Sequence, residues 1–274
     1  MNTNRLFPKI IIIWLFIFSF LPMLMLLILS LLTSDVQNIA KLPLTFVHYQ
    51  SLIEPVFLKI AWRSFYLAGL ATLICLILSY PFAYVVLQIK NKGLVIILIL
   101  IPFWTSSLIR TYAMVDLLKW HGTINTVLLK LHLISQPLQL LYTHFAVLCG
   151  LVYNLLPFMI LPIYNGMQTI DFSCIDAAKD LGASPTQIFL KVFWPQSQKG
   201  VINGILMVFL PAMTLFYIPN ILGGAKSILV GNLIQNEFLF LNNWPQGAAT
   251  STLLTLILLS LLFFSQTQGQ KNNV

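Results

Sequence analysis

The side chains able to do chemistry are few and scattered. Among 274 residues there are seven carboxylates, four histidines and three cysteines. No HExxH, GxSxG or CxxC pattern occurs. His48, His121, His132 and His144 lack metal-ligand spacing, and Cys75, Cys149 and Cys174 form no paired or zinc-binding set. "GGAKS" (residues 223–227) echoes a phosphate loop, but Ala225 stands where such a loop needs glycine and no soluble strand precedes it. It reads as a turn. A chain so equipped has no means of hydrolysing a nucleotide, and any work it does must draw energy from outside.

One cluster departs from this scatter. Three of the seven acids, Asp171, Asp176 and Asp180, fall within ten residues, in "DFSCIDAAKDLGASPTQIFLKVFWPQ" (171–196). Asp171 or Ser173 can N-cap a short helix with Phe172, Ile175, Ala178 and Leu181 on its apolar side. Asp176, Lys179 and Asp180 take its wet side. Gly182 stands where a left-handed residue ends a helix. Ser184, Pro185 and Gln187 then give the N-cap, N1 and N3 positions of a capping box. The second helix carries Ile188, Phe189, Val192 and Phe193 and is expected to stop before Pro195. Taken alone, the pattern also fits a plain helical hairpin lying on a membrane.

The surroundings are of another kind. The chain is 58% hydrophobic and 8% charged, with a mean hydropathy of +0.89. That leaves too little polar surface to clothe a soluble globule. Apolar runs near the roughly twenty residues that cross a bilayer's core as helix make this an integral membrane protein. The net charge of +8 comes from cations scattered singly among apolar runs, which is no nucleic-acid stripe. Six spans are expected, at about 10–32, 62–87, 94–118, 144–166, 201–222 and 246–265, in one helical membrane domain covering 1–274. The first is too long for a signal-peptide core and lacks a cleavage site, so it is read as an uncleaved helix. "QIKNKG" (88–93) is the one tight turn expected, and 33–61, 119–143 and 167–200 are the larger connections.

Basic residues divide almost evenly. Arg5, Lys9, Lys90, Lys92, Lys179, Lys191, Lys199 and Lys271 fall on one side; Lys41, Lys59, Arg63, Arg110, Lys119, Lys130 and Lys226 fall on the other. The first helix and the short turn weigh most, and they favour both termini and 167–200 in the cytoplasm. Pro81, Pro102, Pro157, Pro162, Pro211 and Pro219 interrupt the spans. Such breaks survive where neighbours or a wet cavity satisfy the freed backbone, as in a protein that opens and closes.

Asp176-Ala177-Ala178, then Gly182, Val192 and Trp194-Pro195, resembles the EAA signature of ABC-importer permeases. Asp176 replaces the usual Glu and Trp194 the usual Leu. "PFWTSSLIRTY" (102–112), "GLVYNLLPFMILPIY" (150–164), "LPAMTLFYIPNILGGAKSILVGNLI" (210–234) and "WPQGAATS" (244–251) are similar to the PotB-type permeases of spermidine/putrescine importers. The resemblance implies an all-α fold of six transmembrane helices, the type I importer (MetI-like) fold. It implies ATPase coupling through Asp176, Ala177, Ala178, Gly182, Ile188, Phe189, Val192, Phe193 and Pro195. It also implies a second, homologous permease, two cytoplasmic ATPase subunits that bind ATP-Mg, and a periplasmic polyamine-binding protein, at a bacterial inner membrane. The chain itself would hold no cofactor.

A polyamine bears several ammonium groups, each costing roughly 2.5–3.5 kcal/mol at a bilayer centre. Its route therefore needs acids or aromatic faces. Asp116 and Glu237 lie nearest the outer halves of the spans, with Asp35 and Glu54 farther out. Trp104, Tyr112, Tyr153 and Tyr217 can add cation–π attraction. Each has a plainer reading: Asp116 can pair with Lys119, and Trp104 or Tyr112 can sit in an interfacial belt. Arg110 would repel a cation and is read as anchoring a helix end or ordering a loop. The alternatives left open are a permease for another solute, an anion or an iron complex, and a membrane-embedded enzyme.

Overall fold

The computed structural model describes residues 3–35, 40–224 and 227–271. Helix α1 (Thr3–Ser30) leads to strands β1 (Leu32–Thr33) and β2 (Lys41–Leu44), then to the short α2 (Val47–Ser51) and the long α3 (Pro55–Gln88). After a tight turn come α4 (Lys92–Leu100), a 3-10 turn (Ile101–Trp104), α5 (Ser107–Leu118) and α6 (Thr123–Lys130). Next are α7 (His144–Gln168), α8 (Phe172–Asp180), α9 (Pro185–Ile188), a π-turn (Phe189–Phe193) and α10 (Trp194–Thr214). A second π-turn (Pro219–Gly223), α11 (Val230–Leu239) and α12 (Trp244–Lys271) complete the order. Among the described residues the fold is helical apart from one two-stranded ribbon, in which Leu32 pairs with Leu44.

Two compact units divide the chain: residues up to 60 with 233–263, and 61–232 with the segment from 264. In the first, the connection expected to be a polar segment is built around His48, which is buried. Its Nδ1 meets Gln246 Oε1 at 2.9 Å and its Nε2 meets the Leu32 carbonyl at 3.1 Å. Gln246 donates from Nε2 to Ser51 Oγ (2.8 Å), and Ser34 Oγ donates to Asn243 Oδ1 (2.6 Å). These bonds tie the start of α12 to α2 and to the chain around β1. From Ile11 to Ile28, α1 exposes its apolar side chains, as a helix bordered by lipid or by another subunit would.

The core of the second unit is the α7–α10 pair. A Cβ at Gly166 would lie 2.7 Å from Gly200 Cα, and one at Gly200 would lie 2.6 Å from the Pro162 carbonyl oxygen. Only glycine allows the two backbones to come so near, which is how helices associate where apolar burial gives no net drive. Met159, Ile163 and Met167 of α7 and Val208 and Ala212 of α10 are fully buried around this crossing. Leu67, Ala68, Ala71 and Cys75 of α3 are buried as well.

Among the described residues four helical stretches are long and apolar enough to cross a membrane: Ile11–Ser30, Pro55–Gln88, His144–Gln168 and Trp244–Phe263. The stretch expected at 94–118 as one span is instead broken, Lys92–Trp104 meeting Ser107–Lys130 at 86°; counted as one, the pair makes five. Pro102 and the extended Thr105 (ψ 148°) make this break, since proline removes a donor and the chain beyond it leaves the helical region. The expected 201–222 span is also interrupted. α10 starts earlier, ends at Thr214, and is followed by an extended Leu215 (ψ 121°) before the π-turn at Pro219. Pro81, Pro157, Pro162 and Pro211 stay inside continuous helices. Of the phosphate-loop echo, Ala225 and Lys226 lie outside the described residues, and Gly224 has φ +56°. Among the described residues no group of three or more His, Cys, Asp or Glu could hold a metal ion.

Candidate functional site

The 167–200 segment is built almost entirely by local hydrogen bonds. Asp171 is the N-cap of α8: its Oδ1 accepts from Ser173 N (2.9 Å) and Ser173 Oγ (2.7 Å). These bonds favour the charged form and hold the Asp171 carboxyl below its ordinary range. Gln196 Oε1 accepts from Asp171 N (3.1 Å), so the start of α8 is fixed to the start of α10. At the far end Gly182 N donates to the Lys179 carbonyl (2.8 Å) and Ala183 N to the Ala178 carbonyl (3.0 Å), which is a Schellman closure. Gly182 has φ +77°, as its place at C′ requires. Its missing Cβ points into open space, so within this chain a larger residue meets backbone strain and no steric block. Ser184 and Gln187 form the expected capping box, reciprocally bonded at 3.3 and 2.9 Å.

The segment departs from its sequence pattern in two ways. The second helix does not stop before Pro195. Trp194 N donates five residues back to the Phe189 carbonyl, and the π-turn runs directly into α10 with Pro195 in its first turn. Proline is tolerated there because first-turn donors need no helical acceptor. Nor are Ile188, Phe189, Val192 and Phe193 presented together. Phe193 is only 4% exposed and meets the ring of Tyr84 edge-on at 5.4 Å. Ile188 and Val192 are half-buried, while Phe189 and Pro195 are exposed. Leu181, 88% exposed, and Leu190, 58% exposed, form the more open apolar surface. The side chain of Phe172 lies outside the described residues. Asp176 and Ala177 are exposed and Ala178 half-buried. Asp176 pairs with Lys179 at 2.8 Å, which holds the Lys179 ammonium above its ordinary range, chiefly through their hydrogen bond.

The residues proposed to meet a cation are dispersed. Trp104 (87% exposed), Tyr112 and Asp116 lie on outer faces, and Asp116 pairs with Lys119 at 2.9 Å. Tyr217 lies in the interruption after α10 and belongs to a polar knot that reading the sequence missed. Ser107 Oγ donates to Asn154 Oδ1 (2.7 Å), so the Tyr217 hydroxyl, 2.6 Å from Ser107 Oγ, is the donor between those two. Asn154 Nδ2 donates to the Gly150 carbonyl (2.9 Å). The available signal was an asparagine within an apolar span and a serine just beyond a proline break. Near this knot Arg110 lays its guanidinium 4.2 Å over the Phe103 ring and 5.9 Å from that of Tyr153. Its Nε and Nη1 are buried with no hydrogen-bond partner among the described residues.

Glu237 belongs to the other unit, on α11 and outside the candidate spans. Its Oε2 is buried with no hydrogen-bond partner among the described residues. Burial raises the Glu237 carboxyl above its ordinary range, and the nearby His48 offsets part of that rise.

No family model matches the chain. It is 44% identical over 266 residues to the spermidine/putrescine transport system permease protein PotB of Haemophilus influenzae, covering 95% of this chain and 93% of that one. It is 42% identical over 247 residues to the protein of the same name from Escherichia coli K12, covering 89% and 90%. In fold it is similar to a chain of a bacterial alginate ABC transporter crystallised with an alginate pentasaccharide-bound periplasmic protein. That match has a TM-score of 0.77 and 17% identity, and it covers 98% of this chain and 93% of that one. A helical membrane chain with this broken-span architecture, related over nearly its whole length to permeases of that name, belongs to the PotB-type spermidine/putrescine transport system permease family.

Proposed function

We propose that this chain passes spermidine or putrescine through a bacterial inner membrane by alternating access, as one of two homologous permeases in an ATP-driven importer. A periplasmic binding protein delivers the polyamine. Two ATPase subunits, which bind ATP-Mg, dock on the 167–200 segment. Both termini and that segment face the cytoplasm. The polyamine reading is supported by the name shared by the relatives. The observation that carries the coupling reading is a capped helix pair that leaves the apolar side chains of Leu181 and Leu190 open while Phe193, just beyond it, is buried as an anchor. A segment held this firmly at both ends can pass on a push. Asp116 and Glu237, with Trp104, Tyr112, Tyr153 and Tyr217, are proposed to meet the ammonium groups on their way in.

A second reading, transport of an anion, draws on Arg110, whose Nε and Nη1 lack hydrogen-bond partners among the described residues. Uptake of labelled spermidine, putrescine and sulfate by cells with and without this chain separates the two. Polyamine uptake that depends on the chain supports the first reading, and sulfate uptake alone replaces it. Orientation is tested with Thr186→Cys after the exposed native Cys174 has been replaced by alanine. Thr186 is exposed and, unlike Gln187, has no part in the capping box. Resistance to membrane-impermeant thiol reagents in intact cells is expected, and ready labelling inverts the topology.

A further inference from the structure

We infer that Tyr80 of α3 is the positioning residue through which movement of the 167–200 segment reaches the membrane-spanning part of the second unit. The inference rests on the coupling reading above and adds a residue outside that segment. Tyr80 is the residue of α3 whose ring meets three aromatic rings of the segment. Its ring centroid lies 5.9 Å from Phe189, 6.4 Å from Phe193 and 5.5 Å from Trp194. Phe189 and Phe193 stack on each other at 6.2 Å, one helical turn apart, and Tyr84 closes on Phe193 at 5.4 Å.

A hydrogen bond fixes the direction of this contact. Ser197 Oγ donates to the Trp194 carbonyl (3.0 Å), so the Tyr80 hydroxyl, 2.9 Å away, donates to Ser197 Oγ. The ring therefore grips the π-turn while the hydroxyl grips the first turns of α10. Both helices are weak at this level. Pro81, next to Tyr80, offers no N–H to the preceding turn of α3, and the π-turn 189–193 replaces the ordinary ladder on the other side. Two compliant turns joined by a rigid aromatic cluster bend together. If the cluster were only filling space, a hydroxyl aimed at the one serine that caps the Trp194 carbonyl would add nothing to its role.

The test uses the complete importer, with both permeases, the ATPase subunits and the binding protein, in proteoliposomes supplied with labelled spermidine. Tyr80→Ala removes both the rings' shared partner and the hydrogen bond, while leaving the exposed Leu181 and Leu190 untouched. The ATPase subunits are expected to stay bound, and the ATP hydrolysed per spermidine imported to rise about tenfold. Tyr80→Phe keeps the ring and loses only the hydroxyl, and the same ratio rises about two- to fivefold. Ser197→Ala, which removes the acceptor from the other side, matches Tyr80→Phe. The phenylalanine and serine variants carry the test if the alanine variant fails to insert. An unchanged ratio in these variants, or loss of the ATPase subunits from them, overturns the role assigned to Tyr80. Failure of the coupling reading itself looks different: Leu181→Asp with Leu190→Asp would then retain the ATPase subunits.

Discussion

In the 167–200 segment the capping groups find their partners within a few residues. Asp171 caps Ser173, Gly182 closes on Lys179, and Ser184 exchanges bonds with Gln187. In the mid-span knot the partners are distant in sequence: Ser107 and Asn154 are 47 residues apart, and Ser107 and Tyr217 are 110 apart. The first arrangement survives movement of the whole segment, because it carries its own hydrogen bonds with it. The second exists only while three broken or kinked elements stay together. A transporter needs both kinds of construction: a rigid piece to be pushed, and contacts inside the membrane that form and break as the spans shift. The difference between them predicts which variants abolish work and which only loosen the fold.

The largest effect is expected at Gly182. Its left-handed backbone costs a residue with a side chain about 1–2 kcal/mol, and Gly182→Leu also alters the turn that sets Leu181 relative to the helix carrying Leu190. Insertion and pairing with the second permease remain, while ATPase docking weakens and spermidine uptake falls at least about tenfold, consistent with a lost docking contact worth about 1.4 kcal/mol or more. Normal ATPase retention and normal substrate-stimulated hydrolysis in the purified variant would erase the distinction between the two regions. Because the missing Cβ points into open space, Gly182→Ala isolates the backbone part and gives a smaller loss of the same kind.

Next come the acids proposed to meet the substrate. Asp116→Asn and Glu237→Gln are each expected to lower uptake about fivefold, the scale of one hydrogen bond to a charged group, with assembly and binding-protein affinity unchanged. Wild-type uptake in both would return Asp116 to its surface pair with Lys119 and leave the pathway to aromatics or to the second permease.

The knot is expected to report on stability before uptake. Asn154→Ala leaves the Ser107 hydroxyl without its acceptor and should cost about 1–3 kcal/mol, whereas Tyr217→Phe removes one bond at about 1 kcal/mol. Thermal unfolding of the purified chain in detergent orders the two, and equal midpoints in all three proteins would mean that the knot holds nothing together. Glu237→Gln gives the smallest stability effect, one defined by pH. The folded carboxyl is raised above its ordinary value, so the native state holds its proton more tightly than the unfolded chain does. Stability from this group is full below the ordinary carboxylate range and is lost as pH rises through the folded value. The glutamine variant should therefore match wild type in acid and unfold at a slightly higher temperature near neutrality. A gap of the opposite sign would place the carboxylate in a favourable pair.

Much of the molecule was legible from residue order because the forces involved are local. Apolar runs declared the membrane, and Asp171, Gly182, Ser184 and Gln187 declared caps whose partners lie within four residues. What residue order could not express was which face of the second helix turns inward. Ile188, Phe189, Val192 and Phe193 look equivalent in sequence. Phe193 became an anchor because α3, about a hundred residues earlier, brings Tyr80 and Tyr84 against it. The π-turn that carries the helix through to Pro195 and α10 accompanies that packing. The same holds for Ser107 and Asn154, ordinary residues until the breaks at Thr105 and Leu215 let Tyr217 reach them. Hydropathy and capping are properties of neighbours along the chain, so residue order alone sets the class and the capped segment. Burial and long-range hydrogen bonding are properties of neighbours in space, and they arise only once distant helices pack together.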